Sequence, residues 1–285
     1  MHRSLPIVRW QDSETNLLRD EVAVEAPLEL RLSFVRDGRR LERPLLTTLR
    51  TPGDDEALAL GWLFAERVIR SAEDVESVTI EAALPSSGDV VAQRMLVRLA
   101  DSVSVDLERL ARATVASSAC GLCGRLTLGA IGRSEPIVAS GGAWPSHAEL
   151  AGWSRLVAAR QQTFDATGGI HAVARFSLAG ELLDLAEDVG RHNALDKVIG
   201  RALRNSALPL SGEALWLSGR AGFEMVDKAA RAGAPLVVSV GAPTTMAVEV
   251  AQTAGITLVG FLRNGRHNVY AHAERFTRHT SDPSA

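Results

Sequence analysis

The sequence predicts an α/β protein with a largely parallel sheet covered by helices, preceded by a smaller α+β unit. From about residue 168 onward, short apolar segments of strand type alternate with segments of helix length, the order typical of parallel sheets. Before residue 110, strand-like alternation of apolar and polar residues surrounds one helix. A stretch rich in Ser, Gly and Arg lies between these halves. Together these three observations indicate two domains and a connector.

The first third of the chain predicts a small α+β domain. Apolar and polar residues alternate over 20–34, 75–83 and 90–99, which predicts three strands. The segment "TPGDDEALALGWLFAERVI" predicts a helix between them, because Pro52 and Gly53 punctuate its start and three carboxylates follow in the first turn.

The second half predicts a regular succession of strands and helices. A helix over 146–164 opens it, with Leu150, Trp153, Leu156 and Val157 on one face. Strands are then predicted over 170–178, 181–185, 214–218, 236–240 and 256–262, and helices over 191–203, 223–232 and 245–254.

These elements divide the chain into four parts. We expect an N-terminal α+β domain over 1–110, a mobile cysteine-containing connector over 111–145, an α/β domain over 146–276 and a disordered tail over 277–285.

Bulk composition excludes some classes of function. The formal net charge of −3 over 285 residues argues against a protein that holds nucleic acid through its phosphates. No apolar run approaches the roughly 18 residues that a membrane helix requires. With only two cysteines and no leader pattern at the start, we expect a cytoplasmic protein with reduced thiols and no membrane association.

Three loops follow predicted strands and carry polar residues with Gly or Pro. They are "LSGRAGFE" (217–224), "VGAPTT" (240–245) and "FLRNGR" (261–266). In a parallel sheet such loops share one edge, where helix amides and arginines such as Arg220, Arg263 and Arg266 would suit a phosphate or diphosphate. The competing interpretation is that each glycine is present because the turn requires its backbone conformation, and that each arginine only contacts solvent.

The segment "EDVGRHNALDK" (187–197) is unusually polar for the start of a helix. A capping network would explain Asp188 or Asn193 but not Arg191 and His192. His171, in "TGGIHA", lies inside a predicted strand, where a histidine is more often structural than catalytic.

The two cysteines, Cys120 and Cys123, form "CGLCG". A C-x-x-C pair can be half a zinc site, an iron–sulfur ligand pair, a redox couple or a sulfur-carrying nucleophile with a helper. No second pair supplies the missing zinc ligands, and the two "HAE" sequences, at 147–149 and 272–274, follow the cysteines instead of preceding them as in zinc deaminases. A thiolate in a mobile loop could accept a sulfane sulfur from a persulfide.

Several blocks together resemble one family. They are "RTPGDDEALALGWL", "CGLCG", "TGGIHA", "EDVGRHNALDKVIG", "SGRAGFEMVDKA", "GAPTTMAVEVA" and "LVGFLRNGRHNVY". Over about residues 20–276 the chain resembles the formate dehydrogenase accessory sulfurtransferases, the FdhD family. The resemblance implies a larger domain similar to the cytidine deaminase fold, a three-layer α/β/α arrangement on a mixed, mostly parallel sheet, without zinc.

The resemblance also implies a function and its partners. A cysteine desulfurase would supply persulfide sulfur, and the recipient would be the molybdenum of bis(molybdopterin guanine dinucleotide), the cofactor of formate dehydrogenase. The expected partners are thus that desulfurase, the formate dehydrogenase catalytic subunit, the guanine nucleotide part of the cofactor and a second copy of the chain in a homodimer. Cys120 would carry the persulfide and Cys123 would be a helper thiol. The cofactor-binding residues would be Phe261, Leu262, Arg263, Asn264, Gly265 and Arg266, with Arg220, Thr244 and His192 as further candidates.

Two other functions fit the same residues. A non-catalytic molybdenum-cofactor chaperone would use the cysteines only to clasp its cargo. A thiol redox protein would form a reversible disulfide between Cys120 and Cys123 and would bind no nucleotide.

Overall fold

The computed structural model describes residues 1–84, 92–106 and 144–277. These residues form three sheets with twelve β-strands and seven α-helices. Both cysteines lie outside the described residues. The predicted connector at 111–145 and tail at 277–285 fall almost wholly outside them too, so these two boundaries stay predictions.

The chain begins with an isolated hairpin of β1 (His2–Gln11) and β2 (Glu14–Ala23). Its two-residue turn, Asp12–Ser13, has positive φ at both positions, the geometry whose twist matches that of antiparallel strands. The strand predicted over 20–34 is therefore two strands of different sheets. The alternation of residue types runs through the junction without a Gly or Pro break at Val24–Glu25.

A second sheet has the strand order β4-β3-β6-β5. Its central pair, β3 and β6, is parallel, and the two outer pairs are antiparallel. Helix α1 (Asp55–Ala65) buries its leucines against this sheet. This is the smaller α+β unit that the sequence predicted. The strands are β3 (Ala26–Arg36), β4 (Arg39–Arg50), β5 (Val75–Leu84) and β6 (Ala92–Leu99), with a 3-10 turn over Ala72–Asp74.

The third sheet has six strands in the order β8-β7-β9-β10-β11-β12. Strands β9, β10 and β11 are parallel neighbours, whereas β7 and β12 run in the opposite direction. Four of the six strands thus share one direction. The strands are β7 (His171–Ser177), β8 (Leu182–Asp188), β9 (Glu213–Leu217), β10 (Leu236–Ser239), β11 (Thr257–Arg263) and β12 (Arg266–Ala271).

Helices cover both faces of this sheet. Three amphipathic helices bury apolar residues on one face, and α2 buries Leu150, Trp153 and Val157 on the other. This confirms a three-layer α/β/α domain with a mixed sheet. The helices are α2 (His147–Ala158), α3 (Gln162–Thr167), α4 (Arg191–Arg204), α5 (Phe223–Ala232), α6 (Thr245–Ala254) and α7 (Glu274–Thr277).

No helix in the described part of the chain is long and apolar enough to cross a membrane.

Strands β1 and β4 and helix α7 were not predicted, and two further elements differ from the sequence predictions. The helix predicted over 146–164 breaks into α2 and α3, because the carboxylate of Glu187 accepts the backbone amides of Thr163 and Phe164 and so starts a new helix. Strand β12 was not predicted, since its polar sequence "RHNVYA" lacks regular alternation and owes its pairing to the tight turn before it.

The two larger sheets are joined where α1 crosses α4 at backbone contact. A β-carbon placed on Gly200 would lie 1.8 Å from the carbonyl oxygen of Ala57, and one on Gly61 would lie 1.9 Å from that of Asp196. No side chain fits at either position, so the two glycines permit the close crossing that positions the N-terminal unit.

We therefore expect Gly200→Ala to destabilise the protein strongly. The added methyl group must push two helix backbones apart, which should lower the free energy of unfolding by roughly 3 kcal/mol or more, measured by urea unfolding. Gly152→Ala in α2 is the matched control, because its β-carbon would meet only the end of Arg155 at 3.9 Å. The control should be neutral or gain up to about 1 kcal/mol of helix propensity. Equal stability of the two variants would contradict the close crossing.

Candidate functional site

The loops after β9, β10 and β11 lie side by side at one edge of the large sheet. The amide of Gly241 donates to the carbonyl of Gly219 at 3.0 Å, and the amide of Phe261 donates to the carbonyl of Gly241 at 3.0 Å. The hydroxyl of Ser239 donates to the Gly219 and Gly241 carbonyls. Hydrogen bonds thus connect the backbones of the three loops at this edge.

The segment Phe261–Arg266 forms the tight connection between β11 and β12. Asn264 and Gly265 both have positive φ, as a two-residue hairpin turn requires, and Arg263 pairs with Arg266 across it. Phe261 also has a positive φ of 55°, at a bulge in the strand. A non-glycine residue in this region is strained, and such strain concentrates at binding sites.

A cavity of about 580 Å³ opens beside this turn. One wall is the turn itself, with Leu262, Arg263 and Asn264, and another is the glycine pair Gly168–Gly169 after α3. His171 and Ser218 lie deeper among the lining residues. This is the volume of an ordinary small-molecule site.

A second cavity of about 450 Å³ borders the same turn. It is lined by Ala151, Ser154 and Arg155 of α2 together with Arg263 and Gly265. Arg263 therefore borders both cavities. Its guanidinium lies 5.7 Å from the centre of the Phe261 ring, and among the described residues it forms no ion pair.

His171 contributes a neutral imidazole to the larger cavity. Burial lowers its pKa, and the nearby Arg191 lowers it further. Its Nδ1 lies 3.5 Å from the hydroxyl of Ser218, which itself accepts the amide of Ala172 at 2.9 Å. An uncharged ring beside a hydroxyl can accept or donate hydrogen bonds to a bound ligand.

The other predicted site residues lie elsewhere. Arg220 is exposed after β9, Thr244 caps α6 by accepting the amide of Ala247, and His192 pairs with Glu224. None of these three lines either cavity. Arg263, Asn264 and His171 thus line the larger cavity together, whereas Arg220, Thr244 and His192 line neither.

The segment "EDVGRHNALDK" joins the two domains through a buried carboxylate. Asp188 is fully buried and accepts four hydrogen bonds, one of them from the ammonium of Lys197 at 2.7 Å. The amides of Thr51 and Gly190 and the side-chain amide of Asn193 supply the others. We call these residues, Thr51, Asp188, Asn193 and Lys197, the interdomain clamp.

The clamp holds the chain just before α1. Lys197 also donates to the Thr51 carbonyl at 2.9 Å, Asn193 donates to the Leu49 carbonyl at 2.8 Å, and the hydroxyl of Thr51 accepts the amide of Val189. Next to them, Arg50 forms a bidentate pair with Asp55. The carboxylates at the start of α1 therefore do more than favour the helix end, because Asp55 holds Arg50 and Asp54 pairs with Arg201 of α4.

A second buried ionic network lies along α4 and α5. The ammonium of Lys228 lies 2.6 and 2.7 Å from the two carboxylate oxygens of Asp196 and 3.6 Å from Glu224, which in turn pairs with His192 at 3.3 Å. Burial raises the pKa of Asp196 to about 7 despite the neighbouring cation. Burial lowers the pKa of Lys228, but Asp196, Glu224 and Glu66 together raise it above its usual value.

Several lining residues carried no signal in the sequence. Ser154 comes from α2 and Gln161 precedes α3, and packing brings both to the cavity. Trp216 reaches it from a strand, and its indole donates to Ser154 at 3.3 Å. Ser218 was visible only as part of a strand-end loop. Strand-end position was therefore the one feature of the sequence that could locate the site.

The fold and the site define an α/β protein with a ligand-sized cavity at the carboxyl ends of its parallel strands, the usual place for ligands in such sheets. Within the described residues, no group of three or more His, Cys, Asp or Glu side chains could hold a metal ion.

Comparison with known proteins gives the family. Residues 23–277 match the model of the FdhD/NarQ family, and the chain belongs to it. It is 41% identical to the sulfur carrier protein FdhD of Streptomyces coelicolor over 94% of this chain and 93% of that protein. It is 45% identical to the sulfur carrier protein FdhD of Anaeromyxobacter dehalogenans over 90% and 89% of the two chains.

A solved structure has the same fold. It is the crystal structure of a formate dehydrogenase accessory protein from Desulfotalea psychrophila, which is similar with a TM-score of 0.69 and 23% identity. The match covers 96% of this chain and 98% of that one.

Replacing His192 with Gln should reduce the loss of stability at acid pH. Burial lowers the pKa of His192 to about 4, from an ordinary value of 6.5. Between these values the unfolded chain binds a proton that the folded protein does not, so the free energy of unfolding falls as the pH drops. His192 should account for about 2 kcal/mol of this fall, and His192→Gln should lack it.

Urea unfolding at about pH 7 and about pH 4.5 tests this expectation. Asp196 acts with the opposite sign, since its raised pKa favours the folded state at low pH, but both proteins retain it. An equal fall in the free energy of unfolding for wild type and variant would contradict the assignment.

Proposed function

We propose that this protein is a sulfur carrier that accepts sulfane sulfur on Cys120 and delivers it to the molybdenum of bis(molybdopterin guanine dinucleotide), for the activation of formate dehydrogenase. The observation that carries the proposal is the family match over residues 23–277, because this range includes both cysteines and its curated relatives are named sulfur carrier proteins. The molybdenum cofactor is the recipient of the sulfur and thus a substrate.

The acceptance step is an exchange at sulfur. The thiolate of Cys120 attacks the outer sulfur of the persulfide on a cysteine desulfurase, and a new S–S bond forms at Cys120. The S–S bond of the donor breaks, and its cysteine leaves as a thiolate, so no external oxidant or reductant is needed. Cys123 is placed three residues away as the helper thiol.

The two cavities at the β11–β12 turn support the recipient side of the proposal. A guanine dinucleotide carries a diphosphate, and guanidinium groups bind phosphate oxygens through paired hydrogen bonds. Arg263 borders both cavities without an ion pair among the described residues, and Arg155 also lines the smaller one. The neutral His171, beside Ser218, offers hydrogen bonds to an uncharged part of the same ligand.

The family resemblance also implies a cysteine desulfurase and the formate dehydrogenase catalytic subunit as partners, and a homodimer. A cytoplasmic site of action agrees with the chemistry, since a persulfide on Cys120 requires a thiol that is not locked in a disulfide.

Sulfur loading should occur on Cys120. After incubation with a cysteine desulfurase and free cysteine, intact-mass spectrometry of the wild type should show a reductant-sensitive gain of one sulfur atom. The gain should be lost in Cys120→Ala, because the attacking thiolate is gone, and retained in Cys123→Ala. A desulfurase alone, measured in parallel, confirms that the donor is active.

Two outcomes would contradict the carrier. Absence of the sulfur gain on every protein, with an active donor, would favour the cofactor chaperone. A reversible disulfide between Cys120 and Cys123 without any sulfur gain would favour the redox protein.

Arg263 should be required for nucleotide binding. Guanosine diphosphate is the probe, and calorimetric titration should show a dissociation constant about tenfold higher for Arg263→Ala, because one charged contact to phosphate is worth about 1.4 kcal/mol. Arg220→Ala is the matched control, since Arg220 is exposed near the same edge but lines neither cavity. Equal weakening by both substitutions, or none by Arg263→Ala, would place the nucleotide elsewhere.

A further inference from the structure

The β1–β2 hairpin carries an unusual amount of exposed apolar surface. In the described part of the chain, twelve large apolar side chains are well exposed, and seven of them lie within the first 22 residues: Met1, Leu5, Val8, Trp10, Leu17, Leu18 and Val22. Val8, Trp10 and Leu17 lie on one face of the hairpin, and Leu5, Leu18 and Val22 lie on the other. Contiguous exposed apolar side chains mark interaction sites.

The most exposed residues share one face of the hairpin. Val8 and Leu17 are directly opposite each other, and Trp10 follows on the same face, two residues nearer the turn. Their exposed fractions are 53%, 86% and 73%. We call these three residues the hairpin patch. Within the described ranges neither strand pairs with a third, and an isolated two-stranded hairpin is only marginally stable in water.

The base of the hairpin contacts the rest of the protein. The amino group of Met1 donates to the hydroxyl of Thr163 at 3.1 Å, and both strands contact α3. The hairpin patch lies towards the other end, at the turn. Among the described residues no apolar core cluster includes any residue of the hairpin.

The charges of one hairpin are complementary to those of a second, identical hairpin. Strand β1 carries Arg3 and Arg9 and no carboxylate, whereas β2 carries Glu14, Asp20 and Glu21 against one arginine. The strands thus have formal charges of +2 and −2. Two identical hairpins that pack with β1 of one against β2 of the other bring opposite charges together around an apolar centre, as a twofold-symmetric contact requires.

We propose that the β1–β2 hairpin is the arm through which two copies of this chain dimerise, with the hairpin patch packed against its counterpart in the second copy. The inference rests on the homodimer included in the proposed function and assigns its interface.

Size-exclusion chromatography with light scattering measures the mass of the full chain in solution, and so tests whether the hairpin forms the dimer interface. The wild type should show about twice the 30.4 kDa of the chain, and Trp10→Asp/Leu17→Asp should show the mass of one chain, with a dimer dissociation constant raised at least about 100-fold. Ile80→Asp/Leu156→Asp is the matched control, because it adds the same charges at side chains 58% and 47% exposed outside the hairpin, and it should remain dimeric.

A single-chain mass for the wild type would overturn the proposal and indicate that another part of the same chain covers the hairpin. A dimeric Trp10→Asp/Leu17→Asp would place the interface elsewhere. Thermal unfolding verifies that the variants fold. Sulfur loading of Cys120, followed by mass, reports on the carrier function separately, so that failure of the arm and failure of the carrier are distinguishable.

Discussion

The buried ion pair between Asp188 and Lys197 is the interaction on which the rest of the structure depends. It lies where the end of β8, the first turns of α4 and the chain before α1 meet, and it satisfies the Thr51 amide and carbonyl at the same time. Removing one partner of such a pair leaves a charge buried without compensation, which costs about 3–5 kcal/mol. Together with the glycine crossing of α1 and α4, this pair fixes how the N-terminal unit sits on the large sheet.

This arrangement separates structural polar residues from those that face a ligand. The hydrogen bonds of Asp188, Asn193 and Lys197 lie inside the interdomain clamp. Glu187 accepts backbone amides at the start of α3. Starting α3 places Gly168 and Gly169, which follow it, against the large cavity. The polar side chains of segment 187–197 therefore hold the elements around the cavity in position, while Arg263 and His171 line the cavity.

Much of the large sheet could be predicted from the sequence, because its strands and helices are locally patterned. The bounds of α5 and α6 agree with prediction at both ends. The hairpin, β4 and β12 were missed, since their stability comes from pairing across the sheet and not from periodicity. For the site, strand-end loops indicated Arg263 and Asn264, which line the larger cavity, but Ser154 and Trp216 reach it only through tertiary packing. The polar residues of segment 187–197 suggested a ligand site. Asp188 and Lys197 instead bind the backbone of Thr51, a long-range contact that a sequence does not show.

The most direct test of this account measures stability and sulfur loading together in Lys197→Met. We predict a loss of about 3–5 kcal/mol in the free energy of unfolding, from urea titration, with persulfide loading of Cys120 unchanged at a temperature where the variant is folded. Arg204→Met, which removes an exposed pair with Glu56 at 3.9 Å, should lose less than about 1 kcal/mol. Unchanged stability of Lys197→Met, combined with loss of sulfur loading, would show that the lysine serves the chemistry and would contradict the clamp.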